Sequence, residues 1–295
     1  MNVILRPFRL FLSGASSLAC LILLTPGTSH AESQAGPSQP PPQTQQIDES
    51  KIPLAEGEVG KAKPSGAAAK PAAVTPKAKP DYYAEIVDDP ALPRVLLIGD
   101  SVSIAYTLIV RGELKGVANV HRIPANGGAT KTALGSYGLC RWIKDGEKWD
   151  VIYFNHGLHD ASHRFPDGND KDKDGNYASP ARGCKPYVSL EDYEKNLHTI
   201  VGILKKTGAK LVFGTTTPIP NSQAEKYVEN SEMPYNEVAK KVMAAEGVAV
   251  VDLWAAVKPN QEKLQGARNV HFNPEGSEVL GKQVAASIRS VIQAK

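Results

Sequence analysis

From residue 94 onward, short apolar segments alternate with helix-like segments, and this alternation constrains the fold more than any other feature. Apolar runs of this length are typical of strands that are buried on both faces of a sheet. Strands that alternate with helices predict a parallel sheet between two layers of helices. We therefore expect an α/β domain of three layers (αβα), flavodoxin-like, with a five-stranded parallel sheet. The predicted strands are 94–98, 117–123, 150–154, 210–213 and 248–251.

Two helices follow from the spacing of apolar residues. One apolar stripe recurs at spacings of three and four between the third and fourth strands, and Ser189 stands three residues before Asp192, as in a capping box. A second stripe lies close to the C-terminus. The two stripes are Tyr193, Leu197, Ile200, Val201 and Leu204, and Val284, Ile288, Val291 and Ile292.

The first 80 residues differ in composition from the rest. Residues 1–31 resemble a secretory signal, because Arg6 and Arg9 precede an apolar stretch that is short for a membrane span of ~20 residues. Residues 32–80 hold 9 of the 22 prolines and no aromatic residue. Such a segment buries too little apolar surface to fold, so we expect a disordered linker. These features predict a globular domain at 81–295 and a periplasmic or secreted location.

The charge of the globular part excludes some partners. After residue 80 the chain carries 26 basic and 26 acidic residues. A nucleic-acid-binding domain normally shows a basic patch, and an anionic membrane surface also attracts basic segments. We therefore predict no nucleic-acid partner. Outside the predicted signal, no stretch of the sequence is apolar enough to span a membrane, so we also predict no stable membrane span once the signal is removed.

Two cysteines, Cys140 and Cys184, remain after removal of the predicted signal. Export to an oxidising compartment permits a disulfide between them. We predict this bridge; the alternative is two buried thiols.

The predicted strands end in polar or glycine-rich segments. In a parallel sheet, the carboxyl ends of the strands meet at one edge, where ligands bind. We therefore expect one site that is built from several loops. The segments concerned are 99–101, 126–128, 155–160, 215–218, Asp252 and His271.

Four of these segments resemble, in order, the motifs of the SGNH/GDSL hydrolase superfamily. The third motif also resembles a subgroup with Gly-Leu-His-Asp at this position. The motifs are Gly99-Asp100-Ser101, Asn126-Gly127-Gly128, Gly157-Leu158-His159-Asp160, and His271 ahead of the last helix.

The resemblance implies a serine nucleophile, Ser101, with His271 as its base. A serine hydroxyl attacks only when a neighbouring base takes its proton, and imidazole titrates near neutral pH. The resemblance also implies an oxyanion hole formed by Ser101, Gly128 and His159. The family has asparagine at position 159, but a neutral imidazole can also donate one hydrogen bond. Supporting roles are expected for Asp100, Asn126, Asn155 and Asp160, and Asp160 is expected to brace its loop.

Arg268 departs from the pattern, because the family has its triad acid three residues before the histidine. An arginine cannot accept a hydrogen bond from imidazole. Three alternatives follow: a backbone carbonyl orients His271 in a Ser–His dyad, another acid such as Asp252 replaces it, or the enzyme is impaired. We favour the dyad, with Arg268 as a solvated side chain.

The segment Asp170-Lys-Asp172-Lys-Asp174-Gly175 begins like a calcium-binding loop. Its twelfth position is Ala181 instead of the bidentate glutamate, so we expect a solvated loop without a metal ion. The sequence also contains no nucleotide-binding glycine motif, and we predict no cofactor.

Taken together, the resemblance implies an exported serine esterase that hydrolyses small acyl esters, most of all acetyl groups on carbohydrate. The substrate would be a small molecule or a polysaccharide. The alternatives are a lipid or aryl esterase, a glycan O-acetyltransferase, a non-catalytic carbohydrate-binding domain, or an envelope scaffold that is tethered through residues 32–80.

Overall fold

The computed structural model describes residues 81–144, 146–222 and 224–294. The predicted signal (1–31) and linker (32–80) lie outside the described residues.

The centre of the domain is a five-stranded parallel sheet with the order β2-β1-β3-β6-β7. All five predicted strands are confirmed, with bounds shifted by at most two residues. A short antiparallel pair, β4 and β5, lies in the loop that follows β3. The strands are β1 Arg94–Ile98, β2 Asn119–Arg122, β3 Val151–Phe154, β4 His163–Arg164, β5 Lys185–Pro186, β6 Lys210–Gly214 and β7 Ala249–Val251.

Helices cover both faces of the sheet, which confirms the predicted three-layer α/β fold. Helices α1 and α9 pack together on one face, and α2, α5 and α6 on the other. Within the described ranges, none of the helices combines the length and apolarity that a membrane crossing needs. The helices are α1 Ser101–Glu113, α2 Thr130–Leu134, α3 Leu139–Trp142, α4 Leu158–Ala161, α5 Leu190–Lys205, α6 Glu232–Glu246, α7 Leu253–Val257, α8 Gln261–Leu264 and α9 Pro274–Gln293.

Helix α5 forms where the apolar spacing predicts it. The Ser189 hydroxyl accepts a hydrogen bond from the Asp192 N–H at 3.1 Å, which satisfies one of the unpaired donors at the start of the helix. The five residues of the predicted stripe are fully buried against the sheet.

The C-terminal helix α9 is held close to α1. A Cβ on Gly281 would lie 2.6 Å from the Ile109 side chain, so only glycine allows this approach. The Asn273 side chain caps α9 by accepting from the Gly276 N–H at 2.9 Å. Because α1 begins at Ser101 and α9 begins just after His271, this packing brings their N-terminal ends together.

The predicted disulfide is wrong, since Cys140 and Cys184 are both free thiols. The Cys140 Sγ lies 3.3 Å from the Ser136 carbonyl oxygen, and the Cys184 Sγ lies 3.9 Å from the Arg182 carbonyl oxygen. Each thiol therefore contacts the backbone of its own segment. An oxidising compartment permits a bridge, but it does not bring the two side chains together.

Two leucines of α5 provide a matched test of the core. Leu197 is fully buried, whereas Leu190, at the start of the same helix, is 39% exposed. We expect Leu197→Ala to lower the free energy of unfolding by about 2–5 kcal/mol, because it leaves a cavity. Leu190→Ala should change it by less than about 1 kcal/mol. Urea unfolding measures both, and equal losses would contradict the packing described here.

Candidate functional site

Ser101 stands at the turn between β1 and α1, and the residue is half-buried. Asp100 caps the helix, since its carboxylate accepts from the Val102 N–H at 3.0 Å. Position 99 has room only for glycine, because a Cβ there would lie 2.6 Å from the Ser103 Cβ. The turn therefore presents the Ser101 hydroxyl and its N–H at the positive end of a helix.

Arg122, the last residue of β2, stabilises this turn through hydrogen bonds. Its guanidinium donates to the Ser103 hydroxyl at 2.7 Å, to the Gly99 carbonyl at 2.8 Å and to the Asp100 carbonyl at 3.3 Å. Burial lowers the pKa of Arg122 from its ordinary value. Sequence analysis missed this residue, because nothing in a strand sequence shows which polar side chain turns inward.

His271 reaches Ser101 from the other end of the chain. The Ser101 hydroxyl oxygen lies 2.8 Å from the Nε2 atom of His271. The histidine is carried by a hairpin-like loop in which the Gly266 N–H donates to the His271 carbonyl at 3.0 Å. An isolated antiparallel bridge joins Gln265 to Phe272 at the base of this loop. The structure thus brings together the nucleophile and base that the sequence predicts.

The side-chain amide of Asn269 orients the His271 ring. The Asn269 Oδ1 atom lies 2.9 Å from the ring Nδ1 and accepts from the His271 backbone N–H at 3.0 Å. Because a backbone N–H only donates, the amide oxygen must face it, and Nδ1 must carry the ring proton. This leaves Nε2 free to accept a proton from Ser101.

Neither of the two orienting groups predicted for His271, a backbone carbonyl or another acid such as Asp252, describes this contact. Asp252 lies elsewhere: it caps α7 by accepting from the Ala255 N–H and pairs with Lys240 at 3.0 Å. Sequence analysis missed Asn269, although asparagine side chains commonly bond the backbone two residues on, which here is the N–H of His271.

Arg268 is exposed and occupies the third position of a turn closed by the bond from the Asn269 N–H to the Gly266 carbonyl. Its φ is 53°, as a type II turn requires at that position. Arg268 thus directs the chain so that Asn269, rather than position 268, faces the imidazole.

The protonation state of His271 suits a base. Desolvation of the ring lowers the pKa of His271. The negative charge of Asp100 raises this pKa, and the positive charge of Lys226 lowers it further. The imidazole is therefore neutral at neutral pH.

His159 is half-buried, and the charges of Asp100 and Lys226, which affect the pKa of His271, also affect its pKa. Burial lowers the pKa of His159 to about 4, which keeps the ring neutral. Within the described part of the chain, its Nε2 atom has no hydrogen-bond partner. An unpaired buried ring nitrogen is unusual and fits a group that awaits a ligand atom.

Asp160 braces its loop, as expected from the sequence. Its carboxylate accepts from the Thr130 N–H at 3.0 Å and from the Thr130 hydroxyl at 2.5 Å. Burial raises the pKa of Asp160 to about 6. This contact fixes the loop after β3 to the start of α2.

Gly128 has its N–H occupied within the loop. It donates to the Asn126 Oδ1 at 3.0 Å, and its carbonyl lies 3.1 Å from His156 Nδ1. Its role as an oxyanion donor stays a prediction. Sequence analysis did not assign a role to His156, which connects the second and third motif loops.

Asn155 immediately follows β3 and is buried. Its amide donates to the Gly214 carbonyl at 2.7 Å, which ties the ends of β3 and β6 together.

Two of the three aspartates of the calcium-like segment, Asp170 and Asp172, bind protein groups. Asp170 pairs with Lys226 and with Arg164, and Asp172 accepts from the Asn176 and Asp174 N–H groups. In the ranges that the structure covers, no set of three or more acidic, histidine or cysteine side chains is arranged to hold a metal ion. The Asp174 carboxylate joins no such set.

A small cavity of about 10 Å³ lies beside the turn that carries Ser101, with room for roughly one water molecule. It is lined by Asp100, Val102, Tyr106, Asn155, Leu158, Thr216, Thr217 and Leu253.

A family model matches the domain, in agreement with the resemblance of its motifs to the SGNH/GDSL superfamily. The model of the GDSL-like lipase/acylhydrolase family matches residues 98–279, a stretch that includes Ser101 and His271. No curated protein sequence matches the chain significantly.

Solved structures share the fold at low sequence identity. A lipase/acylhydrolase from Enterococcus faecalis is 20% identical with a TM-score of 0.50, over 67% of this chain and 96% of that chain. An acetyl xylan esterase, AlAXEase, is 15% identical with a TM-score of 0.51, over 66% of this chain and 99% of that chain. A GDSL-like lipase from Parabacteroides merdae is 15% identical with a TM-score of 0.50, over 66% and 94%.

The two buried titrating groups near the site predict opposite effects of acid on stability. Because the pKa of His159 falls from 6.5 to about 4, the unfolded chain takes up this proton first, and stability falls as the pH drops through this range. Because the pKa of Asp160 rises from 3.8 to about 6, the folded chain takes up that proton first, and stability rises as the pH drops through that range.

We therefore expect His159→Gln to lose less stability than the wild type between pH 7 and about pH 4.5, and Asp160→Asn to lose more. Urea midpoints across this pH range measure both differences, and other titrating groups cancel in the comparison. Parallel curves for all three proteins would contradict the burial of these groups.

Proposed function

This chain belongs to the GDSL-like lipase/acylhydrolase family and is a carboxylic ester hydrolase, and we propose that it removes acetyl groups from carbohydrate by a Ser–His mechanism. The observation that carries the mechanism is the 2.8 Å contact between the Ser101 hydroxyl and His271 Nε2, with the opposite ring nitrogen on Asn269. The proposed substrate class comes from the fold shared with an acetyl xylan esterase and from the small space beside Ser101.

In the first half-reaction, His271 Nε2 takes the hydroxyl proton while the Ser101 oxygen attacks the ester carbonyl carbon. The carbonyl electron pair moves to oxygen and forms a tetrahedral oxyanion. When the pair returns, the bond to the alcohol oxygen breaks, and His271 gives its proton to this leaving alcohol. A water molecule then repeats the sequence on the acyl-serine and releases the acid.

The Asn269 oxygen accepts from Nδ1–H throughout this cycle, so it holds the ring in the productive tautomer. As a neutral amide, it stabilises the imidazolium less than a carboxylate would. Asn269 is thus a positioning residue, and the dyad of Ser101 and His271 performs the proton transfer.

The proposed oxyanion donors are the Ser101 N–H, the His159 ring and the Gly128 N–H. A neutral His159 with an unpaired buried nitrogen supports its role, because an imidazole N–H needs no charge to donate. The Gly128 N–H now bonds Asn126, but an anionic oxygen accepts a stronger hydrogen bond than an amide oxygen. The oxyanion would therefore displace the Asn126 contact.

A small cavity beside the turn that carries the nucleophile supports the proposal of a short acyl group. It borders Asp100 and Val102, and its volume of about 10 Å³ leaves room for roughly one water-sized group. Export is part of the same proposal, since residues 1–31 resemble a secretory signal. A polysaccharide ester outside the cytoplasm would be accessible to an exported enzyme.

The mechanism is tested by variants on both sides of the ring. Ser101→Ala should abolish both hydrolysis of 4-nitrophenyl acetate and labelling by a serine-directed phosphonate. His159→Ala should lower kcat by about 10²–10³-fold, as expected for the loss of one oxyanion donor.

Asn269→Ala should lower kcat by about 10²-fold, less than the ~10⁴-fold loss caused by a wrong imidazole tautomer. Arg268→Ala, next in the chain, is the matched control and should change kcat by less than about 3-fold.

Asn269→Asp distinguishes orientation of the ring from a purely structural role. A carboxylate beside the ring raises the pKa of His271, so the acid limb of the pH–rate profile should move to higher pH. An unchanged profile, or an Arg268→Ala loss as large as that of Asn269→Ala, would reject the assignment.

The substrate proposal predicts a preference for short acyl chains. Acetate release from acetylated xylo-oligosaccharides should exceed hydrolysis of 4-nitrophenyl octanoate in kcat/KM by at least about 10-fold, because we expect the small cavity beside Ser101 to accept only a short acyl group. A preference for octanoate would favour a lipid or aryl esterase. A folded protein that binds glycans but takes up no phosphonate would indicate a non-catalytic domain.

A further inference from the structure

A second, larger cavity lies beside the β4–β5 pair. Its volume is about 400 Å³, within the ~300–1,000 Å³ range of small-molecule sites. Cationic and aromatic side chains dominate its lining: Lys131, Arg164, Phe165, Lys185 and Tyr187.

The lining of this cavity is positively charged. It includes three cationic side chains and no aspartate or glutamate. The Lys131 ammonium donates to a carbonyl, that of Tyr187, at 3.2 Å, and Lys185 is exposed with no ion pair to any residue that the structure describes. Arg164 is partly neutralised by Asp170, at 3.6 Å. Since the domain as a whole carries equal numbers of acidic and basic residues, this cluster is a local excess.

Tyr187 holds two of these cations in place. The Lys131 Nζ and the Arg164 Cζ each lie 5.3 Å from the centre of the Tyr187 ring, within cation–π distance. Together with Phe165, the ring supplies apolar surface against which the C–H groups of a sugar can pack. Apolar surface beside fixed positive charge suits a sugar that carries an anionic group.

The cavity is connected to the catalytic loops through Asp160. The Asp160 carboxylate holds the Thr130 N–H, which immediately precedes Lys131. The Asp160 carbonyl accepts from the Val188 N–H at 3.1 Å, and Val188 immediately follows Tyr187. Both cationic and aromatic walls are therefore anchored to the residue that follows His159.

We propose that this cavity binds the carboxylate of a uronic acid, so that the ester substrate is an acetylated acidic polysaccharide. The inference deepens the proposed function and rests on it for the acetyl group. One sugar residue occupies the basic cavity, while an acetylated residue of the same polymer reaches Ser101.

The experiment compares two acetylated substrates, oligogalacturonate and the neutral xylo-oligosaccharide. The double variant Lys131→Gln with Lys185→Gln should lower kcat/KM on acetylated oligogalacturonate by about 10-fold, mainly through KM, because two ion pairs are lost. Turnover of the neutral oligosaccharide and of 4-nitrophenyl acetate should not change. The difference between the substrates should shrink at 0.5 M salt, where exposed charges are screened.

Lys115→Gln is the matched control, since Lys115 is an exposed lysine beyond the far end of α1. The 13 residues of α1 separate it from Ser101 by about 20 Å. Equal kcat/KM on acetylated oligogalacturonate for the wild type, the double variant and this control would overturn the inference. Should the double variant fail to fold, Lys185→Gln alone decides the question.

A binding measurement separates this inference from the proposed function. Calorimetry of unesterified oligogalacturonate with Ser101→Ala requires no catalysis, and we expect binding that the double Lys131→Gln, Lys185→Gln background weakens by about 10-fold. If the wild type hydrolyses none of the esters but this binding is present, the proposed function fails and the basic site stands. If the esters are hydrolysed but no binding is found, the basic site is rejected.

Discussion

The hydrogen bonds that the Asn269 amide oxygen accepts determine how the site works. One oxygen receives both the backbone N–H and the ring Nδ1–H of His271. The backbone N–H fixes which amide atom faces the ring, and this in turn fixes the ring proton on Nδ1. The orientation of the base therefore follows from a three-residue turn, with no contribution from a distant acid.

This arrangement has a chemical cost and a chemical benefit. An amide adds no negative charge beside the imidazolium, so proton transfer gains less electrostatic stabilisation than in a triad with a carboxylate. In return, the amide adds no negative charge that would raise the pKa of His271. Desolvation of the ring lowers this pKa, and the charge of Asp100 opposes the shift only in part, so the unprotonated base is favoured. The remaining stabilisation must then come from the donors around the oxyanion, which is the role proposed for the neutral ring of His159.

The sequence predicts the sheet well because buried parallel strands are short and apolar, and each shows a clear start and end. The pairing of Ser101 with His271 was predicted by the resemblance of the loop motifs to those of the SGNH/GDSL superfamily. It fails for contacts that depend on side-chain direction. Arg122 has the sequence position of an ordinary strand residue. The sequence analysis considered position 268 for the orienting group and did not consider Asn269. Nothing in the sequence indicates the positive φ of Arg268, which changes the direction of the loop. The disulfide was wrong because compartment chemistry gives no information on the position of a thiol.

The hairpin-like loop between Gln265 and Phe272 carries the base together with its orienting amide. Any displacement of this loop moves the two as one unit, so the tautomer survives the movement, and only the distance from Nε2 to the serine changes. While the oxyanion donors stay in place, activity then depends on how closely this loop packs against the beginning of α1. Substitutions in the packing between α1 and α9 can thus tune turnover without altering any group that takes part in the chemistry.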